Sequence, residues 1–165
     1  IDTREGVEEC IINSRTGFNI KGDWLHDGSI YKIITNKILE TKANVVIIDE
    51  AQFLLESQID ELQTICYTFN IPIICYGLLV DFQRHLFPGS KRLMEIADDK
   101  QELIGICHCG RKAVQNARVV NGVMVVDGDV VKIGGSDKED DIYYVALCNK
   151  CFLKKDIGRR GEKDE

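Results

Sequence analysis

Basic residues are in short supply. Lys and Arg number 21 against 27 Asp and Glu, so the 165-residue chain carries a net charge of −6. That balance gives no general attraction to phosphate backbones or anionic lipid, which argues against a nucleic-acid groove and against a membrane-surface role. Long apolar runs are also missing. Stretches such as Val45 to Ile48 and Ile71 to Tyr76 fall far short of the ~20 residues that a bilayer span needs, and no signal peptide is visible. Proline is scarce, at 2 residues, and no internal repeat occurs. With 44% hydrophobic and 29% charged residues the chain is neither disordered nor collagenous, and it has enough apolar mass for a core.

Cysteine is plentiful by comparison. There are seven, an odd number, and four of them form two close pairs, Cys107 with Cys109 and Cys148 with Cys151, while Cys10, Cys66 and Cys75 sit among apolar residues. Paired spacing of this kind fits metal chelation better than a disulfide framework, which places the protein in a reducing cytoplasm. The chain opens on Ile1 rather than Met, followed by the polar Asp2-Thr3-Arg4.

The run Asn44-Val45-Val46-Ile47-Ile48-Asp49 is short, β-branched and nearly continuous, the pattern of a strand buried on both faces of a parallel sheet. Ile71 to Gly77 reads the same way, with Pro72 tolerable only in the strand's first turn. Between them Ile59, Leu62, Ile65, Cys66 and Phe69 recur at helical steps, and Ser57 is placed to cap the start. Ile30, Ile33, Ile34, Ile38 and Leu39 mark an earlier helix behind Asp27-Gly28-Ser29, and Cys10-Ile11-Ile12 offers a further strand. Such alternation predicts an α/β layer. A short helix is expected after Pro88-Gly89-Ser90 and a strand over Glu102 to Ile106. From Arg118 onward the texture changes to short apolar stretches, Arg118 to Val120, Val123 to Val126 and Val130 to Ile133, separated by Asn121-Gly122 and Asp127-Gly128-Asp129, which are hairpin signals. The expected organisation is an α/β region over 1–104, a β-rich region over 105–158 and a charged, disordered tail over 159–165.

Two constellations carry chemistry. Cys107-His108-Cys109-Gly110 and Cys148-Asn149-Lys150-Cys151 put four soft ligands in two turns, with 38 residues between Cys109 and Cys148. Four thiolates suit a tetrahedral, structural zinc that staples a region too small to bury its own core. Gly110 permits the tight turn, His108 is a substitute ligand or a solvent-facing knuckle residue, and the plainer alternative is four reduced cysteines in a small core. The other constellation is Asp49-Glu50, two carboxylates at the carboxyl edge of a predicted buried strand, where open α/β sheets bind ligands and an acid can hold magnesium beside phosphates. The plainer alternative is that Asp49 caps a turn and Glu50 is solvated. Gln52 and Phe53 follow at once, and the second strand leads into Tyr76-Gly77-Leu78 and Asp81-Phe82.

Taken in order, Asp49-Glu50-Ala51-Gln52-Phe53, Tyr76-Gly77-Leu78 with Asp81-Phe82 and Phe87, Ala97-Asp98, Cys107-His108-Cys109-Gly110, Ile133-Gly134-Gly135 and Tyr144 ahead of Cys148-x-x-Cys151 resemble the zinc-containing thymidine kinases. The resemblance runs from Ile1 to about Cys151. It implies a P-loop-kinase-like parallel sheet with flanking helices and a small β-rich zinc and lasso subdomain, moving the γ-phosphate of ATP to the 5′-hydroxyl of deoxythymidine in nucleotide salvage. On that resemblance Glu50 is the general base. Asp2, Thr3, Arg4, Asp49, Ala51 and Gln52 lie with Glu50 at ATP and Mg2+, and Arg15 matches a further basic position. Thymidine is held by the lasso, Val130, Val131, Lys132, Ile133 and Gly134, with Leu78, Phe82, Phe87 and Tyr144. Cys107, Cys109, Cys148 and Cys151 hold Zn2+. The resemblance further implies a homotetramer and dTTP as feedback inhibitor.

Two features depart from the family. No G-x-x-x-x-G-K followed by Ser or Thr occurs, and without that loop there is no cradle for phosphates, so the chain as written is expected not to bind ATP normally. The expectation is that an amino-terminal strand-and-helix unit carrying the loop precedes Ile1. The alternative is a non-catalytic, zinc-stapled nucleoside-binding relative. The second departure, Ser136 to Asp141, adds acid to the lasso's return and leaves its register open.

Overall fold

The computed structural model describes residues 10–13, 17, 19–25, 28–128 and 141–158. These residues divide into two compact units, one within 1–78 and 88–97, the other within 79–87 and 98–165.

In the first unit, β1 (Cys10–Asn13) pairs antiparallel with β2 (Asn19–Gly22), with Ile11 opposite Lys21 and Ile12 opposite Ile20. The strand expected at Cys10 to Ile12 is therefore present, but among the described residues it forms a hairpin of its own and joins no parallel layer. Helix α1 (Tyr31–Thr41) follows and buries Ile34, Thr35 and Ile38, with Ile30 just ahead of it, while Ile33 and Leu39 of the same apolar set face outward. Its first turn has no local cap. Instead the Glu61 carboxylate accepts the Ile30 and Tyr31 N–H groups at 2.7 and 2.8 Å, satisfying two donors that a helix start leaves unpaired.

Strand β3 (Val46–Ile48) leads through a single 3-10 turn (Ala51–Phe53) into helix α2 (Glu56–Phe69), which returns to β4 (Ile73–Cys75). The two strands are parallel, with Val46 opposite Ile73, Ile47 opposite Ile74 and Ile48 opposite Cys75, so the predicted strand-helix-strand unit is formed. Helix α2 buries Gln58, Ile59, Leu62 and Ile65. Ser57 is not its cap: the helix begins one residue earlier, and the Gln58 side chain folds back to accept the Leu55 N–H at 2.9 Å while donating to the Gly28 carbonyl at 2.8 Å. A glutamine at this place stabilises the helix start and ties it to the loop before α1. Helix α3 (Pro88–Ile96) begins at the proline itself, a favoured first-turn residue with no N–H to lose.

The core of this unit is Ile30, Ile34, Ile38, Ile48, Ala51, Leu54, Ile59, Leu62 and Ile65, with Leu93 and Ile96 of α3 packed against it. One expectation is not met. Ile47 and Ile74 are 61% and 42% exposed, so the β3–β4 pair is buried on the Ile48 side and open on the other. The observed class is mixed α/β, with parallel pairing confined to two short strands among the described residues.

The second unit is built from β5 (Gly105–Ile106), β6 (Lys112–Ala113), β7 (Gln115–Val120), β8 (Val123–Val125), β9 (Ile142–Leu147) and the single helical turn α4 (Asn149–Leu153). Strands β5 and β6 pair antiparallel around the first cysteine turn, and β8-β7-β9 form an antiparallel sheet. The hairpin signal at Asn121-Gly122 is realised with φ of 50° and 78°, the two left-handed residues of a tight hairpin whose twist matches its strands. Of the strand expected over Glu102 to Ile106 only the last two residues pair, and Leu103 and Ile104 are exposed. Cys107, Ala117, Met124, Leu147, Cys148, Cys151 and Phe152 form the core. The strand read at Val130 to Ile133 and the tail over 159–165 lie outside the described residues. No helix among the described residues is long and apolar enough to cross a membrane.

Candidate functional site

Asp49 and Glu50 follow β3 directly and are exposed. Asp49 Oδ1 accepts the Glu50 N–H at 3.0 Å, and Glu50 takes a left-handed conformation, φ 52°, which turns the chain out of the strand and into the 3-10 turn. Holding a non-glycine residue there costs on the order of 1 kcal/mol, so the surroundings must impose it. They do so through β4: the Tyr76 N–H donates to Ile48 O at 2.8 Å and the Ala51 N–H donates to Tyr76 O at 2.9 Å.

Ala51 and Gln52 are both 1% exposed. The Gln52 amide is used at both ends, Nε2 donating to Glu50 Oε2 and Oε1 accepting the Leu78 N–H at 3.1 Å. Leu78 is itself 43% exposed, and its carbonyl accepts the buried Ser90 hydroxyl at 2.6 Å. Two glycines make this packing feasible. A Cβ on Gly77 would stand 2.4 Å from Gln52 Oε1, and one on Gly89 would stand 2.6 Å from the carbonyls of both Ala51 and Leu54. Sequence reasoning placed Asp49, Glu50, Ala51, Gln52 and Leu78 at one edge, and they meet there. It did not single out Ser90 or Gly89, and Pro-Gly-Ser after an aromatic reads as an ordinary loop-to-helix junction.

The second unit holds the other expected residues. Phe82 is 2% exposed, and the Arg118 guanidinium lies over its ring, 5.4 Å from the centroid. Arg118, only 4% exposed, was not singled out by sequence reasoning; an arginine amid apolar strand residues is the signal that was available. It sits directly opposite Tyr144 across β7 and β9, and Tyr144 is 48% exposed. Phe87 is half-buried, its N–H donating to Leu79 O at 3.3 Å. Asp81 is occupied in building its own turn: the carboxylate accepts the Gln83 and His85 N–H groups at 2.8 and 2.9 Å. Gln83 in turn donates to the Gly128 carbonyl at 2.9 Å. Asp2, Thr3, Arg4, Arg15, Val130, Val131, Lys132, Ile133 and Gly134 lie outside the described residues.

The four cysteines converge. Cys107, Cys109, Cys148 and Cys151 offer sulfurs all within 4.8 Å of one another, and Cys109 Sγ lies 3.6 Å from both Cys107 Sγ and Cys148 Sγ. Four bonds of about 2.3 Å in a tetrahedron put sulfurs about 3.8 Å apart, so the cluster has the size that a thiolate-bound metal requires. No disulfide is formed among them. The knuckle closes through the Gly110 N–H to Cys107 O at 2.8 Å, with Gly110 at φ 81°. The Cys148 thiol is drawn down to about 6, chiefly by the Cys151 backbone N–H, whereas burial and the neighbouring sulfurs push Cys151 up to about 12. Four sulfurs this close cannot all be thiolates unaided, and a dication is the group that would let them be. His108 stays beside the cluster without being one of the four: its Nε2 lies 3.0 Å from Asp156 O, and a ring nitrogen is within 4.8 Å of Cys151 Sγ. Cys75 is a different kind of thiol: burial raises it to about 11, which disfavours the thiolate.

The sequence model of the thymidine kinase family matches residues 1–152. The chain is similar to the thymidine kinase of Zymomonas mobilis, 39% identical over 157 residues that cover 94% of this chain and 78% of that protein. It is similar as well to the thymidine kinase of Enterobacteria phage T4, 39% identical over 162 residues, covering 96% and 80% respectively. With the thymidine kinase of Albidiferax ferrireducens it shares 35% identity over 165 residues, 99% of this chain and 77% of that one. A match that takes in the strand-end acids, the buried amide beside them and the four-cysteine cluster places the chain in one group: it belongs to the thymidine kinase family.

Proposed function

We propose that the protein transfers the γ-phosphoryl group of ATP to the 5′-hydroxyl of deoxythymidine, as a phosphotransferase of nucleotide salvage. The observation that carries this reading is the exposed Asp49-Glu50 pair at the carboxyl end of a parallel strand, within a family match that spans residues 1–152. The kinase names of the relatives favour an enzyme over a non-catalytic binding protein.

In this reading Glu50 accepts the proton of the 5′-hydroxyl as its oxygen attacks the γ-phosphorus and ADP departs. A carboxylate suits the task because it can accept a proton and, projecting from a turn fixed by backbone bonds, meets the hydroxyl without reorganising. Asp49 would hold Mg2+, which when bound neutralises charge on the phosphates. Asp2, Thr3 and Arg4 belong to the same nucleotide end, with Ala51 supplying backbone. Thymidine is assigned to Leu78, Phe82, Phe87, Tyr144 and the lasso over Val130 to Gly134. The fold reading that goes with this is a kinase-type parallel sheet, of which β3 and β4 are two strands, over a 1–104 region followed by a zinc and lasso region over 105–158. Zn2+ is the metal favoured for the four cysteines, by their number, softness and spacing. A cytoplasmic location accords with sulfurs kept for metal, and homotetramer assembly and dTTP feedback complete the proposal on family grounds.

The test is Glu50→Gln, which keeps shape and removes the base. Phosphorylation of thymidine by the full-length protein with ATP and Mg2+ should fall about 100-fold or more in kcat with the melting temperature unchanged. Wild-type turnover in that variant would remove Glu50 from the mechanism.

A further inference from the structure

Gln52 has a task that nucleotide contact does not explain. Its side chain is 1% exposed, and a buried amide is tolerated only when both of its ends are bonded. Here the direction of the amide is dictated by its surroundings. The Leu78 N–H can only donate, so the carbonyl Oε1 must face it, and the NH2 group is thereby turned toward Glu50 Oε2, to which it donates. The space for this amide exists because residue 77 is glycine, whose missing Cβ would otherwise stand 2.4 Å from Oε1. At the other end of the bridge Leu78 is itself held, its carbonyl taking the Ser90 hydroxyl at 2.6 Å. Glu50 is exposed and left-handed, and Gln52 holds its carboxylate in one direction.

We propose that Gln52 is a positioning residue for phosphoryl transfer: its buried amide aims the Glu50 carboxylate by tying it to the Leu78 backbone at the end of the neighbouring strand, and it does not bind the nucleotide. The inference rests on the reading of Glu50 as base. It differs from the family expectation, which sets Gln52 among the ATP contacts, and it makes an opposite kinetic prediction. An aimed base acts in the chemical step, so loss of aim lowers kcat, whereas loss of a nucleotide contact raises the KM for ATP.

The discriminating variant is Gln52→Glu in the full-length protein. It keeps the size of the side chain and the acceptor for Leu78, but it replaces the donor that faces Glu50 with a carboxylate. Asp49, whose Oδ1 accepts the Glu50 N–H, is the other acid in this turn. Crowding a further negative charge against them should lower kcat about tenfold or more at neutral pH and move the acid limb of the kcat profile to higher pH, with the KM for ATP within about twofold of wild type. Gln52→Met, neutral and of similar length, should lower kcat comparably and move that limb the same way but by less, since it removes a donor to the carboxylate without adding a charge, and it serves if the glutamate variant does not fold. Thermal melts accompany both. An unchanged kcat and acid limb with a raised KM for ATP would make Gln52 a nucleotide contact and overturn the proposal while Glu50 stood. Full activity of Glu50→Gln would instead overturn the base reading, and the role of Gln52 with it.

Discussion

At the scale of single residues, the turn after β3 depends on atoms that are missing. Gly89 faces three carbonyls at once, those of Ala51, Leu54 and Gln52, and a Cβ there would stand 2.6, 2.6 and 3.0 Å from them. None of these is a flexible side-chain end that can swing away, so the helix start would have to shift. Gly89→Ala should therefore destabilise the protein by about 1–3 kcal/mol, the range for overpacking a close-packed site. Urea unfolding would measure it, and a midpoint at the wild-type value would show that α3 moves freely over the turn. The Asp49-Glu50 pair was legible in the sequence because a β-branched run ending in acids is a local signal. The role proposed for Gln52 was not, because its partner Leu78 lies 26 residues on and is brought near only when β4 pairs with β3.

At the scale of elements, helices α1 and α2 show periodicity and context dividing the work. The steps of three and four predicted both helices, and Ile30, Ile34, Ile38, Ile59, Leu62 and Ile65 are buried as expected, but Ile33 and Leu39 of the first set are exposed and Cys66 and Phe69 of the second are only partly buried. The starts were less legible. Ser57 reads as a cap by residue type, yet Gln58 performs that function for α2, and α1 is capped by Glu61 from 30 residues away. A carboxylate on two helix N–H groups is favoured further by the positive end of the helix dipole. Glu61→Ala should cost about 1–2 kcal/mol and should speed amide exchange at Ile30 and Tyr31 more than elsewhere in α1. Uniform exchange across the helix would show that water caps it equally well. The β3–β4 pair marks the limit of pattern reading: a continuous apolar run fits a strand covered on both faces, but the described residues cover only the Ile48 face.

At the scale of the whole molecule, the four-cysteine cluster is part of the core of its unit, together with Ala117, Met124, Leu147 and Phe152. Because three of the four cysteines are buried members of that core, removing a metal from the cluster should loosen the unit around it. We expect one equivalent of Zn2+ per chain in the purified protein. Chelation should raise hydrogen exchange across 105–128 and 141–158, while α1 and α2 keep their protection. Exchange unchanged in those segments, or zinc absent from protein that is fully folded, would return the cluster to four reduced thiols. The cysteine spacing made this centre legible, since two close pairs 38 residues apart have few other uses. Arg118 over Phe82 was not legible, because nothing local to either residue announces a contact across 36 positions.

The sequence by itself determined what depends on short range or on residue type: the two helices, the Asn121-Gly122 hairpin, the strand-end acids and the four sulfurs. These follow from periodicity, backbone preference and ligand chemistry, which act over a few residues. Only the tertiary structure decided which face of the β3–β4 pair is covered, which carboxylate caps α1, and which way the Gln52 amide points. Each of those is the satisfaction of a buried or terminal polar group, or of an apolar surface, by a partner that chain connectivity places far away and packing brings close.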